Sequence, residues 1–294
     1  MTYEAFKTAL CRCLKKSLPP GTAMRIQKIR KNNGLELDGL VITNRESNIA
    51  PTIFLDDYYE KRSFYPDLEA VCRDLLQTYE QNKSTETIDM DFFTNYETVK
   101  NQIAFRIINY EKNKELLETV PYVRCLDLAV VFYCLLSVGR LTHATILIQT
   151  NHQKLWQIST DTLYAHACCM TPQLLPYDLC NMSTLLSDLF EEHQPPDPFC
   201  PMYILTNSSK LYGASCMLYP HLLDTIADKL NASLFILPSS IHEVILLPAS
   251  GCRQSDDLAS LVAQINQTEL AAEEVLSSHV YYYSKTDRTL RICP

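Results

Sequence analysis

The sequence predicts an α+β fold, with small antiparallel sheets each covered by helices and two or three units packed together. Residues 3–17 and 66–80 carry apolar side chains at helical spacing, which is typical of helices with one buried face. Short apolar runs separated by turn residues, such as 233–238 and 243–248, are typical of neighbouring strands. Because close strand pairs alternate with single helices, the pattern favours α+β over a doubly wound parallel sheet.

The N-terminal unit is predicted to span residues 1–87. Its turn signal is Asn33-Gly34, a dipeptide that favours a tight hairpin between two extended stretches. The predicted elements are, in order, a helix over 3–17 capped by Thr2, the two strands of the hairpin, a strand in PTIFL, a helix from Pro66 to about Glu80 and a polar linker, QNKSTET, at 81–87.

A central unit is predicted over 88–192 and a C-terminal unit over 193–294, and the pattern leaves open whether these two share one core. The continuous apolar run CLDLAVVFYCLL indicates a strand covered on both faces. The other elements of the central unit are a short helix from about Asn95, a turn at Gly139-Arg140, a strand in THATILIQ, and helices in NHQKLWQ and in TDTLYAHACCM, the latter ending at Pro172. An extended connector, EEHQPPDPFCP at 191–201, then leads to strands in MYILT and YGASCMLY, a helix in HLLDTIADKL, strands in SLFILP and EVILLP, a helix in DDLASLVAQIN and a strand in HVYYYS.

Composition limits the compartment. The longest apolar run, LAVVFYCLL, is about half the 18 or so residues of a membrane-spanning helix, and the N-terminal segment lacks the apolar centre of a secretory signal. We therefore expect a cytoplasmic protein without membrane contact. Its twelve cysteines would stay reduced there and behave mostly as small buried side chains.

Few residues suit a cofactor. The six glycines form no dinucleotide-binding fingerprint, and Leu40 and Val41 stand where a phosphate loop spaced on Gly34 and Gly39 needs Lys and Ser or Thr. No Cys-x-x-Cys pair is present to begin a zinc site. The sequence therefore predicts neither a cofactor nor a bound metal.

Charge is distributed unevenly around a net −8. Residues 1–33 carry eight Lys or Arg against Glu4 alone, whereas 34–100 carry fourteen acidic residues against six basic ones. A basic helix predicts a weak, salt-sensitive contact with nucleic acid through 1–33, although a solvated helix face explains the same pattern. The acidic surplus also suggests a mimic of nucleic acid, at a low charge density for that role.

The candidate catalytic residues lie in LPSSIHEVILLP, at 237–248: Ser240, His242 and Glu243. One interpretation is a polar turn between two strands, in which the serine hydroxyls satisfy nearby backbone groups. The other is a composite hydrolase site that joins His242 and Glu243 to distant residues. A local serine triad is not favoured because Ser-x-His lacks the glycine-flanked bend of a nucleophile elbow.

Other polar groups are better explained by solvation or burial. The carboxylates that could bind a cation or exchange protons are Asp56, Asp57, Glu60, Glu69 and Asp74, with Asp89 and Asp91 as a second group. Neither group has the spacing of a calcium loop. The thiols with polar neighbours are Cys125, Cys168 and Cys169, for which ordinary burial is the simpler interpretation.

Many short blocks of the chain together resemble one family. They are INYEKNKELL (108–117), LDLAVVFYCLL (126–136), TPQLLP (171–176), MYILTN (202–207), YGASCMLYP (212–220) and LPSSIHEVILLP, together with ELDGL, NIAPTIFLDDYY and VLSSHVYYY. In this order they are similar to an uncharacterised bacterial family, domain of unknown function 5688. The resemblance implies an intracellular protein of anaerobic gut bacteria, often encoded near mobile-element genes, and implies no activity, cofactor or catalytic residue.

The leading functional hypothesis is an intracellular, non-enzymatic protein that binds another macromolecule, in the first place a protein. The resemblance suggests mobile-element biology as its context. The hypothesis depends on the lack of a nucleotide-binding loop, a metal-ligand spacing and a local triad. The alternatives are the composite hydrolase around His242 and Glu243 and the acidic nucleic-acid mimic.

Overall fold

The computed structural model describes residues 1–19, 21–45, 47–83, 87, 91–138, 141–182, 201–251, 255–268 and 270–293. Helices and three antiparallel sheets make up the described chain, which confirms the α+β prediction. Contacts divide the chain into two compact units. Unit 1 is Met1–Lys31, Leu35–Met90 and Val138–Arg140; unit 2 is Asn32–Gly34, Asp91–Ser137 and Leu141–Pro294. The predicted central and C-terminal units thus fall almost wholly within unit 2.

Unit 1 is a three-stranded sheet covered by helices. Its elements are α1 (Tyr3–Ser17), β1 (Ala23–Arg30), β2 (Glu36–Thr43), β3 (Thr52–Phe54), α2 (Leu55–Glu60) and α3 (Leu68–Asn82). The sheet has the order β1-β2-β3, and the Asn33-Gly34 hairpin is confirmed, with both residues at positive φ. Apolar side chains from α1, β2 and α3 form its core, including Phe6, Leu10, Leu14, Leu40, Ile42, Val71 and Leu75. The Thr2 hydroxyl accepts a hydrogen bond from Ala5 N, which confirms the predicted cap.

The first part of unit 2 is built on a four-stranded sheet. Its elements are α4 (Asp91–Thr94), α5 (Tyr96–Val99), β4 (Ile103–Asn109), α6 (Lys114–Leu117), β5 (Tyr122–Cys125), β6 (Leu128–Val138), β7 (Leu141–Leu147), α7 (Thr150–Trp156) and α8 (Thr160–Leu174). Strand β6 lies between β4 and β5 and also pairs with β7. Its side chains are buried on both faces, as the continuous apolar run predicts.

The second part of unit 2 carries a six-stranded sheet. Its elements are β8 (Tyr177–Asn181), β9 (Tyr203–Asn207), α9 (Leu222–Lys229), β10 (Leu234–Pro238), β11 (Val244–Pro248), α10 (Ser255–Thr268), β12 (Tyr281–Ser284) and β13 (Thr289–Ile292). The strand order is β13-β12-β10-β11-β9-β8, antiparallel throughout. Leu237, Leu247, Val262 and Val280 form a core between α10 and the sheet.

Seven of the labelled elements were not predicted from the sequence, namely β4, β5, β8, β13, α2, α4 and α6. Two predicted elements differ in the structure. YGASCMLY is not a strand: Gly213–Leu218 form a 3-10 helix, in which small side chains let the backbone pack close to β4 and β9. Helix α8 continues through Pro172 to Leu174, so its predicted end was wrong. The predicted turn at Gly139-Arg140, most of the connector 191–201 and residues 84–86 of the linker lie outside the described residues. Among the helices that are described, none combines the length and the apolar character needed to cross a membrane.

Candidate functional site

A carboxylate at the β5–β6 turn of unit 2 organises a group of polar contacts. Asp127 follows Leu126, which has a left-handed φ of 58° that is unfavourable for a residue with a large side chain. The Asp127 carboxylate accepts hydrogen bonds from Ser277 Oγ at 2.7 Å, Tyr281 OH at 2.8 Å and His279 Nδ1 at 3.0 Å. We call these four polar residues the Asp127 cluster.

Electrostatics keep Asp127 ionised. Burial opposes ionisation of the carboxyl group, but the hydrogen bonds from Ser277, His279 and Tyr281 outweigh it and hold the pKa of Asp127 below its usual range. Burial and the neighbouring carboxylate raise the pKa of Tyr281, so its hydroxyl stays a donor. Because the Asp127 carboxylate only accepts, Nδ1 of His279 is the donor in their contact.

The Asp127 cluster is not a serine triad despite its composition. Ser277 Oγ lies 3.5 Å from Nδ1 of His279, the nitrogen already directed at Asp127, whereas a triad places serine at Nε2. Ser277 is also fully buried. The cluster therefore joins the β5–β6 turn to the segment before β12, with a half-exposed imidazole at its edge.

The predicted candidates lie in the turn between β10 and β11, where local bonds occupy them. Ser240 N donates to Glu243 O at 3.2 Å, and Ser240 Oγ accepts from His242 N at 2.9 Å. Ser239 Oγ donates to a Glu243 carboxylate oxygen at 3.4 Å. These contacts fit the polar-turn interpretation.

The His242 ring faces the loop that follows β9. Its Nδ1 lies 3.1 Å from Lys210 O and 3.4 Å from Tyr212 N, and its ring stacks on Tyr212 at 5.9 Å with an interplanar angle of 13°. Thr206 Oγ donates to His242 O at 2.8 Å. In the part of the chain that the structure describes, no serine or cysteine side chain hydrogen bonds to this ring, and catalysis by Ser240, His242 or Glu243 stays a prediction.

Tyr212 also contacts side chains of the four-stranded sheet. The guanidinium carbon of Arg106, on β4, lies 4.4 Å from the Tyr212 ring centroid, and the ring of Tyr133, on β6, lies 5.5 Å from it. Gly213 follows Tyr212 where a Cβ atom would lie 2.4 Å from His242 O. Tyr212 thus stands between the predicted candidate His242 and an arginine that the sequence analysis did not select.

Unit 1 contains a buried ion-pair group and two open grooves. Asp38, whose side chain is 4% exposed, accepts from Lys7 Nζ at 2.6 Å and lies 3.2 Å from Lys28 Nζ. One groove, of about 550 Å³, lies along α1 and β1, and the other, of about 780 Å³, lies between α1 and α3. Arg12 lines both grooves.

The predicted carboxylates are spread over separate contacts. Asp56 accepts from Asp38 N at 2.8 Å, and Asp74 accepts from Tyr65 OH at 2.8 Å. Asp89 lies outside the described residues, and Asp91 begins α4. Where residues are described, His, Cys, Asp and Glu form no group of three or more that could hold a metal ion.

Burial disfavours activation of Cys125 and Cys168, whereas Cys169 is exposed, so burial does not explain that residue. Burial raises the pKa of Cys125 and of Cys168, and it raises that of Cys134 and Cys216 to about 12. A raised pKa leaves less thiolate near neutral pH and therefore a weaker nucleophile.

The Asp127 cluster was missed by the sequence analysis. Ser277 and His279 lie in a bend before β12, where His279 N donates to Ser277 Oγ, and Tyr281 begins that strand. Asp127 lies 150 positions away from Ser277, and the sequence has no local signal for the pairing.

Comparison with known proteins identifies a family but no individual protein or solved structure that is similar to the chain. A family model described as a family of unknown function, DUF5688, matches residues 3–285 and confirms the resemblance seen in the sequence blocks. No curated protein and no solved structure matches the chain.

Proposed function

We propose that this chain, which belongs to the DUF5688 family of unknown function, binds another protein through the groove between α1 and α3 of unit 1. The observation that carries the proposal is an apolar floor bordered by exposed basic side chains. A role in mobile-element biology stays a prediction from the resemblance.

The groove has the dimensions and lining of a helix-binding surface. Its volume is about 780 Å³. Its floor is made of small and aliphatic side chains, namely Ala9, Cys13, Leu68, Cys72 and Leu76. Such a floor fits the apolar face of an amphipathic helix laid between α1 and α3. In a cytoplasmic protein the two thiols remain reduced and act as part of the apolar lining.

The basic side chains around the groove have no acidic partner of their own. Arg12 and Lys16 on α1 and Arg73 on α3 are exposed, and within the described residues none of the three forms an ion pair. By contrast, Lys7 and Lys28 both form ion pairs with Asp38. Free guanidinium and ammonium groups at the rim favour a partner with acidic residues beside its apolar face.

A protein fits this groove better than a nucleic acid does. Asp67 and Glu69 also line it, and their charges would repel a continuous row of phosphates. A partner helix can place acidic and basic side chains opposite these mixed charges, and only a protein buries apolar side chains on such a floor.

The test is a cross-linking experiment followed by direct binding. A photo-activated amino acid at Ser17, which lines the groove, should capture a protein in a lysate of the source organism, whereas the same group at Gln77, exposed on α3 outside the groove lining, should not. The captured protein is then purified and its Kd measured by calorimetry. Arg12→Glu with Lys16→Glu should weaken binding about tenfold or more, equal to about 1.4 kcal/mol.

The control keeps the same change of net charge. Lys154→Glu with Lys229→Glu alters two exposed lysines of unit 2 and should leave the Kd unchanged. Equal weakening by both double variants would show a general charge effect and refute the groove. Salt-dependent binding to duplex DNA, lost in the Arg12 and Lys16 variant while no protein is captured, would replace the protein partner with a nucleic acid.

A further inference from the structure

Arg106 and Tyr133 are neighbours on one face of the four-stranded sheet in unit 2. The register pairs Ala104 with Tyr133 and Arg106 with Val131, so Arg106 and Tyr133 are diagonal neighbours across β4 and β6. Both side chains contact the ring of Tyr212. Arg106 is partly buried between the buried Tyr133 and the partly buried Tyr212, and taking charge out of water without a partner is costly.

Each of the two side chains has a buried polar atom without a partner. Arg106 Nε and the Tyr133 hydroxyl form no hydrogen bond to any of the described residues, and Tyr133 is only 2% exposed. No described carboxylate forms an ion pair with Arg106. A buried polar group left unpaired is destabilising, and more so when it is charged. Two such groups on one face of the sheet, each against the Tyr212 ring, point to one missing partner for both.

The chemistry of the missing partner follows from what the two groups offer. Arg106 Nε–H is a donor on a charged fork, and the fork has no acceptor atom. Burial raises the pKa of Tyr133, so its hydroxyl keeps its proton and can donate as well. The Tyr212 ring lies against the guanidinium, with its centroid 4.4 Å from the guanidinium carbon, and makes a cation–π contact with it.

We propose that Arg106 and Tyr133 bind an oxyanion, the carboxylate or phosphoryl group of a small ligand, against the ring of Tyr212. The two donors face an acceptor-only group, and the positive charge of Arg106 is matched by the negative charge of the ligand. A neutral ligand would leave the positive charge of Arg106 unmatched. A cation would be repelled by that charge and would offer the two donors no acceptor.

The loop that carries Tyr212 is held firmly. Asn207 Oδ1 accepts from Ser209 N and Leu211 N, and Asn207 Nδ2 donates to Leu211 O. Lys210 and Tyr212 have left-handed φ values of 52° and 51°, conformations that persist only where surrounding contacts impose them. His242 stacks on Tyr212 and is a positioning residue for this wall of the site.

The site is independent of the groove in unit 1, since it depends on residues of unit 2 alone. Binding is tested with inorganic phosphate and with sodium acetate, each against sodium chloride of equal ionic strength. One or both oxyanions should raise the Tm of the full chain and give saturable heat in calorimetry, and the anion that binds identifies the phosphoryl or the carboxylate group.

Two variants and a matched control separate specific binding from a general salt effect. Arg106→Gln should weaken binding tenfold or more, and Tyr133→Phe should weaken it several-fold. The control is Arg124→Gln: Arg124 lies 4.2 Å from the ring centroid of Tyr110, yet its Nε donates to Leu126 O, so no partner is missing there. This control should bind as the unmodified chain does.

A second measurement covers the case in which Arg106→Gln does not fold. The 15N-labelled Nε–H resonance of Arg106, assigned by its loss in Arg106→Lys, should shift on titration with the binding anion. No saturable response of the unmodified chain to either anion would overturn the proposal. An equal Tm response of unmodified chain and Arg106→Gln would do the same, because it would show an ion effect without this site.

Discussion

Gly213 stands where the chain has no room for a side chain. A Cβ atom there would lie 2.1 Å from Thr206 Oγ1, 2.4 Å from His242 O and 2.9 Å from Asn207 N. Two of these three atoms belong to the backbone, so they cannot turn aside as the end of a flexible side chain can. Gly213→Ala should therefore push β9 and the β10–β11 turn apart.

The expected cost of Gly213→Ala has two parts. Forcing an extra methyl group into a packed interior costs about 1–3 kcal/mol. The methyl group also displaces the Thr206 hydroxyl from His242 O, and a lost buried hydrogen bond costs about 1–3 kcal/mol more. We expect the free energy of unfolding to fall by about 3–5 kcal/mol.

Urea unfolding followed by tryptophan fluorescence measures this change. Trp156 is the single tryptophan and lies in unit 2, largely buried, with its Nε1 donating to Phe93 O at 2.9 Å. The control is Thr206→Val, which removes the hydrogen bond without adding volume and should cost about 1–2 kcal/mol. If Gly213→Ala costs no more than Thr206→Val, the steric reasoning is wrong.

Three further changes test individual contacts. Asp127→Asn should lower the free energy of unfolding at pH 7 by about 2–3 kcal/mol because charged hydrogen bonds are lost. The pKa of Asp127 in the folded chain lies below the unfolded value of about 3.9, so the difference in stability between the variant and the unmodified chain should shrink as the pH falls below about 4. Urea titrations at several pH values measure this difference, and a constant value would contradict the reasoning. Asp38→Asn should destabilise unit 1 by about 2 kcal/mol, measured by circular dichroism, because it removes a largely buried carboxylate that pairs with Lys7 and Lys28 and leaves Lys7 only the exposed Glu4; a change below about 1 kcal/mol would refute that role. Thr2→Ala should cost about 1 kcal/mol in the same measurement, through loss of the bond from Ala5 N, while Thr2→Ser should cost little.

Local elements of this fold follow from short stretches of sequence. Helix α1 spans the predicted residues 3–17, because its apolar spacing, its cap at Thr2 and the Pro-Pro-Gly that follows all lie within a few residues of one another. The Asn33-Gly34 turn is equally local, since both residues tolerate the positive φ values it requires.

Other elements depended on distant partners. YGASCMLY has the composition of a strand, yet Ser215 Oγ accepts a bond from Ile107 N, 108 positions earlier, and Cys216 Sγ donates to Thr206 O. Such contacts decide between a strand and a tight helix, and periodicity over eight residues carries no information about them.

By itself the sequence determined the α+β class, most helices and strands, and the family. Tertiary structure alone decided which polar side chains meet: Asp127 with Ser277, and Arg106 with Tyr212 beside His242. The physical reason is that a strand fixes only the direction of its side chains. The partner that each side chain meets depends on how sheets far apart in the chain pack together.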